Sequence, residues 1–148
     1  MPTTCSFDDL APAERDLVSA ALRARENAHA PYSGFSVGAA LRAVDGTVHL
    51  GCNVEISSYG LTECAERVAL FAARATGARD FDALAVAGPD SADRPTPPCG
   101  ACRQVVWDLA GDIIVILASA AGEVQIWRAA ELLPEPFGPM HLEEDRCP

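Results

Sequence analysis

Three cysteines in two separate segments constrain this chain most, because an ion that they share would bring two helix starts together. Cys64 and Glu66 lie in the run TECAERVAL, and Cys99 and Cys102 lie in PPCGACRQV. Each segment leads into a stretch with the helical period, and the dipole at a helix start favours a thiolate over a thiol. Two helix N-termini are therefore predicted to point at one metal ion.

The number of convincing ligands distinguishes a catalytic zinc site from a structural one. Structural zinc sites take four ligands from the protein, whereas catalytic sites take three and leave one position for water. Cys64, Cys99 and Cys102 supply three, although a CxxC pair alone is as typical of a redox pair. A structural zinc knot in a binding module would need a fourth ligand, for which His49 or Cys52 is the nearby candidate.

Charged residues beside these cysteines favour the catalytic interpretation. Glu66, two positions after Cys64, can lie over a zinc-bound water and carry a proton without binding the metal. Three thiolates on a divalent ion leave a net negative site, so a compensating cation is expected close by. Arg67 and Arg103, each just inside one of the two helices, are the candidates, with solvated surface arginine as the alternative for each.

Composition limits the possible partners and the number of domains. With 148 residues, about half of them apolar, the chain is expected to fold as a single domain, residues 1–148. Its 21 acidic and 11 basic residues give a net charge of -10, which opposes binding to nucleic acid backbones. We find no export signal near the start and no apolar run of about 18 residues, so we expect a cytoplasmic protein with free thiols and no membrane partner.

The apolar periodicity predicts alternating helices and strands. Helices are expected at 8–27, 64–76 and 99–110, with one more helical turn at 129–133. Strands are expected at 36–44 and 47–54, joined by an Asp45-Gly46 hairpin, and at 81–88, 112–118 and 122–128. Because a strand-helix-strand crossover is almost always parallel, the strands that flank the third helix should pair in parallel. This order predicts an α/β fold, a three-layer α/β/α sandwich with a mixed five-stranded sheet.

Five longer segments resemble one known family. They are YSGFSVGAAL at 32–41, GCNVEISSYG at 51–60, CAER at 64–67, PCGACRQV at 98–105 and ELLPEPFGP at 131–139. In order and spacing they resemble the cytidine deaminases, specifically the small homotetrameric type with three cysteine zinc ligands. The resemblance covers nearly the whole chain. The chain also matches the general description of zinc deaminases, which have a non-ligating Glu and a PCxxC segment.

The resemblance implies a reaction and a set of roles. The reaction is hydrolytic deamination of cytidine and deoxycytidine in pyrimidine salvage, with one Zn²⁺ per subunit. Zinc-activated water would attack carbon 4 of the cytosine ring, while Glu66 protonates ring nitrogen 3 and later the departing ammonia. Asn53 and Glu55 would hydrogen-bond the ribose, Phe35 would pack on the nucleoside, and the backbone at Ala65 would orient the base. Phe137 would reach the site of a neighbouring subunit in a homotetramer with composite active sites.

Three departures from the family pattern stand near the site. Glu63 precedes the first ligand where an apolar residue is usual, and Pro97 stands where a serine is more typical. The stretch at 55–58 is Glu-Ile-Ser-Ser, which differs from the more usual Glu-Asn-Ala.

A deaminase for a cytosine-bearing antibiotic such as blasticidin S would share the metal segments. Glu55 favours a nucleoside, because a ribose-binding carboxylate suits an unmodified sugar. A polynucleotide deaminase would need a basic groove, which the composition opposes.

Overall fold

The computed structural model describes residues 1–89 and 94–142 and arranges them as one sheet with helices on both faces. Part of the loop before Cys99, the acidic residues 143–145 and Cys147 lie outside the described residues. The helices and strands in chain order are β1 (Thr3–Ser6), α1 (Pro12–Arg25), β2 (Gly38–Ala43), β3 (Val48–Cys52), α2 (Ala65–Ala75), β4 (Phe81–Ala87), α3 (Gly100–Ala110), β5 (Ile114–Ala118), β6 (Glu123–Arg128) and α4 (Ala129–Leu132).

The sheet is mixed, as predicted, but it has six strands instead of five. The order of the described strands is β1-β6-β5-β4-β2-β3, and among them β4 and β5, which flank α3, are the one pair that runs in parallel. The additional strand is β1, in which Thr3 lies opposite Ile126 of β6. Four residues are too few for an alternating apolar pattern to be recognised, so the sequence did not predict β1. It forms because the free edge of β6 supplies its hydrogen-bond partners.

The first helix begins four residues later than the periodicity predicted. Ser6 donates from its backbone N–H and its hydroxyl to the Asp9 carboxylate, at 3.0 and 2.7 Å, and this contact stabilises a short 3-10 turn. The chain is then extended at Leu10 and Ala11, and Pro12 starts α1. A fixed φ and the lack of an N–H suit proline to a first helical position.

Strand residues alternate between two apolar layers. In β4, Ala83, Ala85 and Ala87 pack in a cluster with α1, whereas Leu84 and Val86 pack in the cluster that contains α2, α3 and α4. The three-layer sandwich is therefore confirmed, with one helix on the first face and three on the second. None of the described helices is long and apolar enough to cross a membrane.

A close approach between β3 and α2 fixes where the first cysteine segment lies. A Cβ atom added to Gly51 would lie 2.2 Å from the Ala65 oxygen and 2.5 Å from the Ala69 nitrogen. Only glycine permits that approach. The first turn of α2 is thereby held against the sheet, next to the residues that follow β3.

Candidate active site

The three predicted metal ligands meet at the start of two helices. Cys64 is the N-cap residue of α2, Cys99 is the N-cap residue of α3, and Cys102 lies in the first turn of α3. Their sulfur atoms all lie within 4.8 Å of one another, and the Cys64 and Cys99 sulfurs are 3.9 Å apart. Two thiolates at about 2.3 Å from one tetrahedral zinc would be roughly 3.8 Å apart. The donor set and its spacing therefore fit zinc.

The residues proposed as a fourth protein ligand lie elsewhere. Within 1–89 and 94–142, Cys64, Cys99 and Cys102 are the one group of three or more His, Cys, Asp or Glu side chains that could hold a metal. The His49 ring lies edge-on against Phe81, with centroids 6.5 Å apart. The Cys52 thiol donates to the carbonyl of Asn27 at 3.4 Å. Within these residues the three thiols therefore have no fourth protein ligand beside them, as a structural zinc knot would need.

A cavity of about 330 Å³ opens beside the cysteines. Its walls come from the loop before β2, the segment after β3, the start of α2 and the segment before α3, so four parts of the chain converge there. The lining residues are Ser33, Phe35, Val37, Asn53, Glu55, Thr62, Glu63, Cys64, Ala65, Glu66, Thr96, Pro97 and Cys99.

Glu66 is the most deeply buried of the acidic residues that line the cavity. Its side chain lies in the first turn of α2 and the residue is only 4% exposed. Burial, with the nearby Cys64 charge acting in the same direction, raises the pKa of this carboxyl from 4.5 to about 7. A carboxyl that titrates near neutral pH can both accept and release a proton, which is the requirement for a general acid and base.

A hydrogen bond between Cys64 and Cys102 shifts the pKa values of these two thiols in opposite directions. A hydrogen bond with Cys102 is the largest influence on Cys64, and Arg67 and Cys99 add to it, so the pKa of the Cys64 thiol falls to about 5. The same hydrogen bond, together with burial, raises the pKa of Cys102. Cys64 is therefore a thiolate at neutral pH before a metal binds, and metal binding must release the proton of Cys102.

The two arginines near the cysteines have different contacts. The Nη2 atom of Arg67 lies 3.7 Å from the Cys64 sulfur, where its charge can offset that of a thiolate. Arg103 donates instead to backbone carbonyls, to Pro98 at 2.8 Å and to Leu132 at 2.9 Å. Arg103 thus joins the second cysteine segment to α4.

Asn53 and Glu55 also line the cavity and hold the loop before β2. The Asn53 side chain accepts from the Val37 N–H at 2.8 Å and donates to the Phe35 carbonyl at 2.7 Å. Glu55 accepts from the Tyr32 and Ser33 N–H groups at 2.8 and 3.2 Å and from the Ser33 hydroxyl. These bonds, led by the Ser33 hydroxyl, lower the pKa of Glu55, so it is an ionised acceptor.

The two aromatic residues that were predicted to contact a substrate, Phe35 and Phe137, lie in different places. Phe35 and Ala65 line the cavity. Phe137 is not among the lining residues; it is 57% exposed, and its ring stacks on His141. Sequence reasoning did not single out Ser33, Thr62 or Thr96, which also line the cavity. The hydroxyl of Ser33 is a partner of Glu55, and its place in YSGF was the available signal.

Comparisons with known proteins point to one family. A family model described as the cytidine and deoxycytidylate deaminase zinc-binding region matches residues 12–118. A cytidine deaminase of Halalkalibacterium halodurans is 51% identical over 122 residues, which cover 82% of this chain and 91% of that protein.

Two solved structures are similar over most of their length. A cytidine deaminase from Burkholderia pseudomallei is 51% identical with a TM-score of 0.80, covering 82% of this chain and 97% of that one. A cytidine deaminase from Mycobacterium tuberculosis is 38% identical with a TM-score of 0.73, covering 84% of this chain and 97% of that one.

Proposed function

This chain belongs to the family of cytidine and deoxycytidylate deaminases, and from that premise we propose that it hydrolyses cytidine and deoxycytidine to uridine and deoxyuridine in pyrimidine salvage. The observation that carries the proposal is the meeting of Cys64, Cys99 and Cys102 beside a cavity that Cys64, Cys99 and the buried Glu66 line. Three thiol ligands, an open position and a proton carrier are the components of a catalytic zinc centre.

The metal ligands are Cys64, Cys99 and Cys102, one set per subunit. When bound, zinc supplies the Lewis acidity that activates water for attack on carbon 4 of the cytosine ring. The remaining chemistry belongs to the side chains around the cavity.

Glu66 moves the protons. It accepts one proton from the attacking water and delivers it to ring nitrogen 3. It then takes the proton of the new hydroxyl on carbon 4 and gives it to the leaving amino group, which departs as ammonia while the carbonyl of uridine forms. Water therefore enters and ammonia leaves, with no oxidant or reductant. The pKa of about 7 supports both directions of transfer at neutral pH.

Asn53 and Glu55 bind the ribose. Asn53 has one amide N–H left after its bond to Phe35, and the Glu55 carboxylate has acceptor capacity left after its three bonds. One donor and one acceptor match a hydroxyl group, which both donates and accepts. Phe35 packs against the nucleoside, and the backbone at Ala65 orients the base beside Glu66.

We further infer a homotetramer with composite active sites. Phe137 is exposed and lies outside its own subunit's cavity, which supports a contact with the site of a neighbouring subunit. A cytoplasmic location is part of the proposal, because the three ligand thiols bind metal only while reduced.

The direct test is the ultraviolet absorbance of cytidine incubated with purified zinc-loaded protein. We expect the absorbance to fall as uridine forms, to stop falling after chelation and to resume when zinc is restored. Deoxycytidine and blasticidin S, assayed in parallel, separate a nucleoside deaminase from an antibiotic deaminase. Turnover of blasticidin S alone would overturn the nucleoside assignment, and no turnover of any of the three would overturn deamination.

A further inference from the structure

Glu63 and Arg67 form an ion pair across the start of α2. The Oε2 atom of Glu63 lies 3.2 Å from the Nε atom of Arg67, with side chains 39% and 20% exposed. Both of these atoms are inaccessible to solvent, and neither makes a hydrogen bond within the described residues. Each charged atom therefore has the other as its compensating partner at this position.

The same guanidinium reaches a metal ligand with its other end. Its Nη2 atom lies 3.7 Å from the Cys64 sulfur and donates to the Thr62 carbonyl at 3.3 Å. An arginine has several rotatable bonds and loses side-chain entropy when it is confined to one rotamer. The contact with Cys64 consequently depends on what holds the Nε end in place.

The backbone of Glu63 provides a rigid base for that role. Glu63 donates to the Val54 carbonyl at 3.0 Å and accepts from the Val54 N–H at 2.9 Å. Val54 lies between the two proposed ribose-binding residues, so the segment is fixed against the strand end that builds the cavity. The Glu63 side chain, which starts from this fixed point, meets Arg67 instead of a cysteine.

We propose that Glu63 is a positioning residue of the metal centre, which holds Arg67 so that its guanidinium stays against the Cys64 sulfur. The proposal rests on the proposed function, because it assigns the three thiols to zinc. Three thiolates repel one another, and a fixed cation beside Cys64 relieves that repulsion in the loaded site. Without Glu63, Arg67 turns toward solvent and the thiolate cluster holds zinc less tightly.

The test is zinc affinity measured by competition with a chromophoric chelator, with wild type, Glu63→Gln, Arg67→Gln and the double variant. Removal of groups that support metal ligands commonly weakens metal binding about tenfold or more. We expect about a tenfold weaker zinc affinity in Glu63→Gln, and less than a threefold further effect of Glu63→Gln when Arg67 is already Gln. The thiolate-to-metal charge-transfer band of the cobalt-substituted protein should shift in Glu63→Gln.

A matched control is Glu26→Gln, which removes one charge from an exposed position at the end of α1 and should leave zinc affinity unchanged. Thermal unfolding of the metal-free variants separates loss of fold from loss of affinity. An affinity of Glu63→Gln within twofold of wild type, or an equal effect with and without Arg67, would overturn the proposal. Failure of cytidine turnover in wild type refutes deamination but leaves these affinity results valid.

Discussion

Replacing Glu66 by Gln removes the proposed proton carrier while preserving its size. The residue is 4% exposed, so bulk water cannot take its place beside the substrate. General acid-base groups contribute typically 10² to 10⁴ in rate, and Glu66 is assigned more than one proton transfer, so we expect kcat to fall about a thousandfold or more. Zinc content should stay near one per subunit, because the carboxyl is not one of the ligands.

Glu66→Gln should also change how the free energy of unfolding of the metal-free protein depends on pH. The folded pKa of Glu66, about 7, lies above its ordinary value of 4.5, so folding favours the protonated carboxyl. That stabilisation is complete below pH 4.5 and is lost as the pH rises through 7. At about 1.4 kcal/mol per pKa unit, the loss amounts to roughly 3 kcal/mol. Glu66→Gln does not titrate and should escape this loss.

The assay compares free energies of unfolding of metal-free wild type and Glu66→Gln, from urea titrations at pH 4.5 and pH 8. We expect the free energy of unfolding of Glu66→Gln, relative to that of wild type, to rise by up to roughly 3 kcal/mol from pH 4.5 to pH 8. Glu26→Gln, with an exposed carboxyl, controls for the loss of a charge. An unchanged difference would refute the buried, raised pKa, and unchanged cytidine turnover would refute the catalytic role.

Three further predictions follow from particular contacts. Gly51→Ala forces a Cβ atom against the Ala65 oxygen and should lower the free energy of unfolding in urea by about 2 kcal/mol, whereas Gly60→Ala, with open space around it, should not. Asn53→Ala removes the proposed ribose donor and should raise KM for cytidine about tenfold in steady-state kinetics; an unchanged KM would count against that role. Phe137→Ala should raise KM for cytidine, because the proposed contact with the neighbouring subunit's site is lost. The melting temperature should stay within a few degrees of that of wild type, because Phe137 is exposed in its own subunit. An unchanged KM in an intact tetramer would contradict the composite site.

Local sequence patterns predicted most of the fold. Helix starts at Cys64 and Cys99, the hairpin at Asp45-Gly46 and the parallel strands around α3 are all confirmed, and Gly46 has the positive φ of 89° that such a turn requires. These features depend on residues close in sequence, where period, capping and turn chemistry act directly. The strand β1 depends on β6, more than a hundred residues away, and had no local signal.

The sequence by itself determined the ligand types, the helix starts that carry them and the family to which the segments belong. Tertiary structure decided that Cys64 meets Cys99 and Cys102, that Glu66 is buried enough for its pKa to rise, and that Arg103 binds backbone carbonyls. It also paired Glu63 with Arg67, which the spacing allowed but did not require. The physical reason is that desolvation, charge pairing and metal geometry depend on distances in space, and the packing of α2 and α3 against the sheet sets those distances.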